Sequence, residues 1–167
     1  MPRDPAKAAA LKERIRAAFA DASYPGDDNI AAGSSFEAQD VQEFFKGKHW
    51  EEITLHSLRH DYQGDPSACL NMMTPEAFRY YLPTYLFIAI DGQPESDVLP
   101  EFTVYALTPS EERKGHSHNW FMQRVSVFNQ AQRAAIKSFL ESQPSLYEGK
   151  RDYGCAPTEE AIQFWSD

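Results

Sequence analysis

The chain of 167 residues has the length of one domain, and its 42% apolar and 13% aromatic content is enough to build a hydrophobic core. This composition excludes a disordered chain, a collagen-like repeat and a disulfide scaffold. The formal net charge of −9 argues against nucleic acid or an anionic membrane as the main partner, because both carry negative phosphates. We therefore expect a single domain over residues 1–167 that prefers basic partners.

The cysteine usage and the N-terminal sequence predict a cytoplasmic protein. Cys69 and Cys155 are too few for a disulfide framework and favour a reducing compartment. The N-terminal sequence has no apolar signal core. The longest apolar-rich run, residues 80–90, is too short to span a bilayer.

The N-terminal part of the sequence predicts helices separated by turns. Asp4 can cap a first helix, and Pro5 suits its first position. Pro25 and Gly26 end this helix in a turn over residues 24–29. Two further helices are expected over residues 37–46 and 50–62.

The clearest helix signal in the sequence follows Thr74. Thr74 is a good N-cap, Pro75 suits the first helical position, and Glu76 complements the helix dipole. Residues 75–90 are apolar nearly all round, which is typical of a buried helix, and Pro83 is expected to kink it. The predicted fold class is mainly α, a single helical domain around this central helix.

The C-terminal half gives weaker signals. Residues 98–107 fit both the helical and the strand periodicity; we favour a helix, with a minor β element as the alternative. Residues 109–118 are predicted as a polar loop. Asn129 begins a capping-box pattern for a helix that ends at Pro144, and a last short helix is expected from Thr158.

Several stretches of sequence carry a family resemblance. They are YPGDDNI at residues 24–30, FxGKxW at 45–50 and LxxxTPEAFRYYLP at 70–83, together with a helix over 131–140. Over residues 11–142 the chain resembles a family of small bacterial proteins classed only as a domain of unknown function. The resemblance implies a bacterial, cytoplasmic setting and supplies no catalytic residues.

Negative charge is concentrated over residues 61–112, which hold nine acidic residues and one basic residue, Arg79. An acidic face attracts a basic protein and speeds association at low salt, although a solvated face without a partner is the alternative. The six candidate partner-binding residues are Asp91, Glu95, Asp97, Glu101, Glu111 and Glu112. By analogy with small acidic bacterial proteins that neutralise toxins, we expect a non-catalytic binding module, most specifically an immunity-type inhibitor that occludes a basic toxin.

Arg79 is of interest because it lies on the predicted buried helix. A buried guanidinium needs carboxylate or carbonyl partners, so we expect a salt bridge to an acidic neighbour such as Asp27 or Asp28. The alternative is a small-ligand or anion pocket lined by Arg79, Tyr80 and Tyr81.

The histidines suggest a metal-dependent hydrolase as a further alternative. His56 and His60 are four residues apart and would share one face of a helix, which suits two metal ligands. His116 and His118 form a second pair in the predicted loop. Neither pair has an identifiable third ligand, and Ser57 stands where an HExxH motif needs its glutamate. We therefore assign no catalytic residue, no metal ligand and no cofactor.

Overall fold

The structure is a computed structural model that describes residues 4–112, 114–146 and 157–167. Within these residues there are nine α-helices, and the extended backbone forms one isolated bridge between Ala31 and Met73. Single-turn 3₁₀ helices lie at Trp50–Glu52, Pro66–Ala68 and Pro94–Ser96. The α-helices are α1 (Pro5–Ala18), α2 (Phe36–Phe45), α3 (Leu55–His60), α4 (Cys69–Met72), α5 (Pro75–Asp91), α6 (Leu99–Ala106), α7 (His116–Val125), α8 (Gln130–Leu146) and α9 (Glu159–Ser166).

Helix α5 lies at the centre of the domain and confirms the predicted fold class. It contacts α1, α4, α6, α7 and α8. The Thr74 side chain accepts a hydrogen bond from the Ala77 N–H, which caps the helix as predicted. Gly92, with φ +55°, adopts the left-handed conformation at the end of the helix. Pro83 lies inside α5 and is buried with most of the helix.

Aromatic side chains join the two ends of the chain to the core. The ring of Phe128 packs edge-on against Phe19 of α1, Phe78 of α5 and Trp165 of α9, with ring centres 5.6–6.1 Å apart. Such edge-to-face pairs add stability beyond the burial of their area. None of the helices in the described residues is both long and apolar enough to span a membrane.

The prediction of one helix over residues 50–62 is wrong. A 3₁₀ turn at Trp50–Glu52 is followed by a new helix, α3, which begins at Leu55. Thr54 separates the two because its backbone is extended, with φ −118° and ψ 164°. The side chains of Thr54 and Ser57 each accept a hydrogen bond from the other residue's N–H, which forms a capping box.

The C-terminal half confirms one predicted element and corrects two predicted boundaries. Helix α6 confirms the helical interpretation of residues 98–107, and the strand alternative is wrong. The loop predicted over residues 109–118 is shorter than expected, because α7 begins at His116. Gly115, with φ +93°, precedes the helix. Helix α8 continues through Leu146, past Pro144, because a proline in the last turn removes one hydrogen bond without ending the helix.

Candidate partner-binding cleft

An open cleft of about 700 Å³ is lined by residues of α6 and α7, by residues 108–112 between them and by Asn71 of α4. We call it the α6–α7 cleft. The lining residues that carry polar or aromatic chemistry include Tyr105, Glu111, Glu112, His116, Trp120 and Arg124.

Two aromatic side chains of the cleft remain accessible to a partner. Tyr105 of α6 is 66% exposed, and Trp120 of α7 is half-buried. Tyrosine and tryptophan are enriched at binding hot spots because they offer a large rigid surface with one polar atom. The cleft thus presents surface that a protein partner could bury.

Arg124 is the most deeply buried charged residue of the cleft, at 6% exposure. Its Nη1 donates to the main-chain carbonyl of Leu70 over 3.0 Å. The guanidinium carbon lies 4.7 Å from the ring centre of Phe78 and 5.4 Å from that of Trp120. Its Nε is buried and has no hydrogen-bond partner in the part of the chain that the structure describes.

No carboxylate neutralises Arg124 among the described residues, whose ion pairs all involve other side chains. Burial lowers the pKa of its guanidinium to about 10, because the charged form loses hydration. The group is still a cation at neutral pH. An incoming carboxylate would therefore pair with a charge that no carboxylate of the described residues neutralises.

Two of the six predicted partner-binding acids, Glu111 and Glu112, are exposed and line the α6–α7 cleft. They belong to the segment between α6 and α7 and are accessible from solvent. They are well placed to attract a cationic group.

Asp91 lies in a different place, a second cleft of about 520 Å³ that shares no residue with the first. There it forms an ion pair with Lys12. Arg16 lies 3.6 Å from Glu51, and the Phe87 ring centre is 5.3 Å from both Lys12 and Arg16. The charges of this second cleft are thus largely matched by one another.

The remaining predicted acids do not line either cleft. Glu95 and Asp97 are exposed, and the Glu95 main-chain carbonyl accepts a hydrogen bond of 2.9 Å from Arg59 Nε. Glu101 is half-buried in the first turn of α6, where its charge favours the helix dipole.

The expected salt bridge between Arg79 and the Asp27–Asp28 turn is wrong. Arg79 Nη1 instead donates to the main-chain carbonyl of Val127 over 2.8 Å. The Asp27 carboxylate accepts a hydrogen bond from the Tyr24 hydroxyl over 2.6 Å, so it serves the turn itself. Arg79 acts as a tie between α5 and the segment that follows α7.

Tyr80 and Tyr81 also serve the core, and neither of the two clefts is lined by Arg79, Tyr80 or Tyr81. The Tyr81 hydroxyl lies 2.8 Å from the Phe45 carbonyl and 2.7 Å from the Lys48 carbonyl. Burial raises the pKa of Tyr81 well above its usual value. These contacts hold Tyr81 in the core, and the small-ligand pocket stays a prediction.

The histidine pairs have different surroundings. His56 and His60 are both exposed on α3, with ring centres 4.4 Å apart, so they share a face as predicted. His116 lines the α6–α7 cleft, and Nδ1 of His118 is buried without a partner in the described part of the chain. Within that part, no group of three or more His, Cys, Asp or Glu side chains is placed to hold a metal. The metal-dependent hydrolase stays a prediction.

Sequence reasoning missed Arg124, Trp120 and Tyr105. One signal was present, since Arg124 is a cation inside an apolar-rich segment and lies four residues after Trp120 on the same helical face. Of the two cysteines, Cys69 is fully buried, as expected for a core residue, and Cys155 lies outside the described residues.

The model of a family of unknown function (DUF6714) matches residues 7–167. The chain belongs to the DUF6714 family. This confirms the resemblance found in the sequence. No curated protein and no solved structure matches the chain. The DUF6714 match includes the whole α6–α7 cleft and the helices that form it.

Proposed function

We propose that this DUF6714 protein is a non-catalytic module that binds a basic protein partner through the α6–α7 cleft. One observation carries the proposal: two predicted partner-binding acids, Glu111 and Glu112, line the same open cleft as the accessible Tyr105 and Trp120. Acidic groups beside exposed aromatic surface supply both parts of a protein-binding site.

The acidic groups and the aromatic surface act at different stages of association. The acids of residues 61–112 attract a basic partner over distances of about a Debye length, roughly 10 Å at 0.1 M salt, which raises the association rate. Burial of Tyr105 and Trp120 then lowers the dissociation rate, since aromatic anchors carry much of the energy of protein interfaces.

In its more specific form, the proposal is that the protein is a bacterial, cytoplasmic immunity-type inhibitor that covers the cationic active site of a toxin. The net charge of −9 supports this form, because a surface that complements a basic active site must be acidic. An inhibitor that works by occlusion needs no catalytic group of its own.

Affinity capture with charge variants tests the proposal. The untagged protein is immobilised and exposed to extract of its source cells at low and at high salt, and bound proteins are identified by mass spectrometry. We expect one basic partner that is lost at high salt, with recovery reduced about tenfold by the double variant Glu111→Lys/Glu112→Lys.

A matched control separates the cleft from net charge. Asp28 and Glu43 are exposed and lie outside the cleft, so Asp28→Lys/Glu43→Lys makes the same change in net charge elsewhere. The amount of partner recovered with this control variant should equal that recovered with the wild type. Equal losses in both double variants would contradict the cleft as the binding site. Protection of growth when the partner is co-expressed would then test toxin inhibition.

A further inference from the structure

The α6–α7 cleft contains charges of both signs that the fold does not pair with each other. Arg124 is buried and lacks a carboxylate partner among the described residues, and its Nε lacks a hydrogen-bond partner there. Glu111 and Glu112 line the same cleft and are exposed. A buried group with an unsatisfied donor is costly to keep, so its presence in a cleft points to a ligand.

The presence of both positive and negative charge in the cleft restricts the chemistry of that ligand. A simple anion would be attracted by Arg124 and repelled by Glu111 and Glu112. A simple cation would be attracted by the two acids and repelled by Arg124. A ligand that carries a carboxylate and a cationic group satisfies both.

We propose that the cleft binds the C-terminal lysine or arginine residue of a basic polypeptide. The terminal carboxylate pairs with Arg124 beside Phe78 and Trp120. The cationic side chain lies towards Glu111 and Glu112. The inference rests on the proposed function, because it takes the same cleft and the same class of partner.

The contacts of Arg124 fit a carboxylate. A guanidinium binds a carboxylate through two parallel N–H donors, and burial strengthens such a charge-assisted pair. Nη1 is already held by the Leu70 carbonyl at 3.0 Å, and the two aromatic rings at 4.7 and 5.4 Å hold the guanidinium in place. The fold therefore fixes the position of the guanidinium.

The exposed surface beside the cleft favours a polypeptide over a free amino acid. Tyr105 is 66% exposed and Phe102, three residues earlier on α6, is 42% exposed. A free amino acid bound at Arg124 would leave most of this aromatic surface in water. A chain that leaves the cleft across α6 would cover it.

Three small probes test the chemistry on the wild-type protein. Nα-acetyl-lysine carries both the carboxylate and the cation, Nα-acetyl-lysinamide lacks the carboxylate, and Nα-acetyl-norleucine lacks the cation. Each is titrated into ¹⁵N-labelled protein at low salt, and the indole N–H signals of the three tryptophans are followed. The Trp120 signal is assigned with Trp120→Phe, and the signal of Trp50, which lines the other cleft, is the internal control.

We expect Nα-acetyl-lysine to shift the Trp120 signal saturably, with a Kd at least about tenfold below that of either other probe. Arg124→Met and Glu111→Gln/Glu112→Gln should each raise that Kd about tenfold or more, whereas Asp28→Asn/Glu43→Gln should leave it unchanged. Arg124→Lys keeps the charge, so its Kd should lie between those of the wild type and Arg124→Met. Equal affinity for the three probes, or no binding, would overturn the inference.

Three outcomes separate this inference from the proposed function. If free lysine binds more tightly than Nα-acetyl-lysine, the polypeptide terminus is wrong. If Arg124→Met captures the protein partner as well as the wild type does while Glu111→Lys/Glu112→Lys loses it, partner binding stands and the carboxylate site fails. If the probes bind through Arg124 but Glu111→Lys/Glu112→Lys captures the protein partner as well as the wild type does, the proposed function fails instead.

Discussion

The indole Nε1 of Trp165 donates a hydrogen bond to the main-chain carbonyl of Leu107 over 2.7 Å. Both residues are buried. Leu107 follows the last residue of α6, and the cleft-lining residue Thr108 comes next. The last helix of the chain is thereby tied to the start of the segment that forms the α6–α7 cleft.

Loss of this hydrogen bond should destabilise the domain. Trp165→Phe keeps an aromatic ring but leaves the buried Leu107 carbonyl unpaired, so we expect the free energy of unfolding to fall by about 1–3 kcal/mol. Urea denaturation measures the loss. Trp120→Phe changes a half-buried ring and should cost less. An equal or larger loss in Trp120→Phe would contradict the role assigned to Trp165.

The stability of Arg124→Met distinguishes a ligand-binding arginine from a structural one. The buried guanidinium lacks a carboxylate among the described residues, so methionine should relieve its desolvation and still pack against Phe78. We expect the free energy of unfolding to stay within about 1 kcal/mol of the wild type or to rise. A loss of more than about 3 kcal/mol in urea denaturation would show that its hydrogen bond to Leu70 holds the fold together.

The thiol of Cys69 should make the stability depend on pH in the alkaline range. Burial raises its pKa to about 11, above the usual value of 9.0. The folded state therefore holds a proton that the unfolded state releases, so this contribution is complete below pH 9 and is lost as the pH rises towards 11. In a Cys155→Ser background, Cys69 should resist thiol reagents at pH 8 until the protein is unfolded.

A matched variant isolates this effect. The free energy of unfolding should decline less steeply between pH 9 and 11 in Cys69→Ala than in the wild type, measured by urea denaturation at each pH. Parallel declines in the two proteins would assign the pH dependence to other groups, and rapid labelling of folded Cys69 at pH 8 would contradict its burial.

Gly47 is required by the backbone at the end of α2. Its φ is +72°, and a Cβ placed there would meet nothing within 4 Å, so the cost of a side chain lies in the backbone alone. We expect Gly47→Ala to lower the free energy of unfolding by about 1 kcal/mol and Gly47→Asn by less, since asparagine tolerates this conformation better. An Asn variant as unstable as the Ala variant would argue against this explanation.

Elements with local start and stop signals could be predicted from the sequence. Thr74 and Pro75 mark the start of α5, and its apolar surface predicts burial whatever it packs against. The break at Thr54 was harder to predict, because the apolar spacing of residues 50–62 continues across it. The break depends on the Thr54–Ser57 capping box, which a pattern of apolar residues does not reveal.

The charged centre of the cleft could not be predicted in the same way. The position of Arg124 depends on contacts with Leu70 and Phe78, which lie 54 and 46 residues earlier in the chain. Its burial and unpaired Nε are properties of the tertiary structure. Glu111 and Glu112 could be predicted as partner-binding candidates from their charge alone. Charge did not separate them from Asp91, which forms an ion pair with Lys12 of α1 and lies outside the α6–α7 cleft.

The most direct test of the account is a photo-crosslinking residue placed at Tyr105 in living source cells. Phe36 is the control position, because its side chain is 86% exposed and lies outside the cleft. We predict a discrete crosslink to one basic protein from position 105 that is lost when Glu111 and Glu112 are changed to lysine, and no such crosslink from position 36. No discrete crosslink from position 105, or the same crosslink from both positions, would contradict partner binding at the α6–α7 cleft.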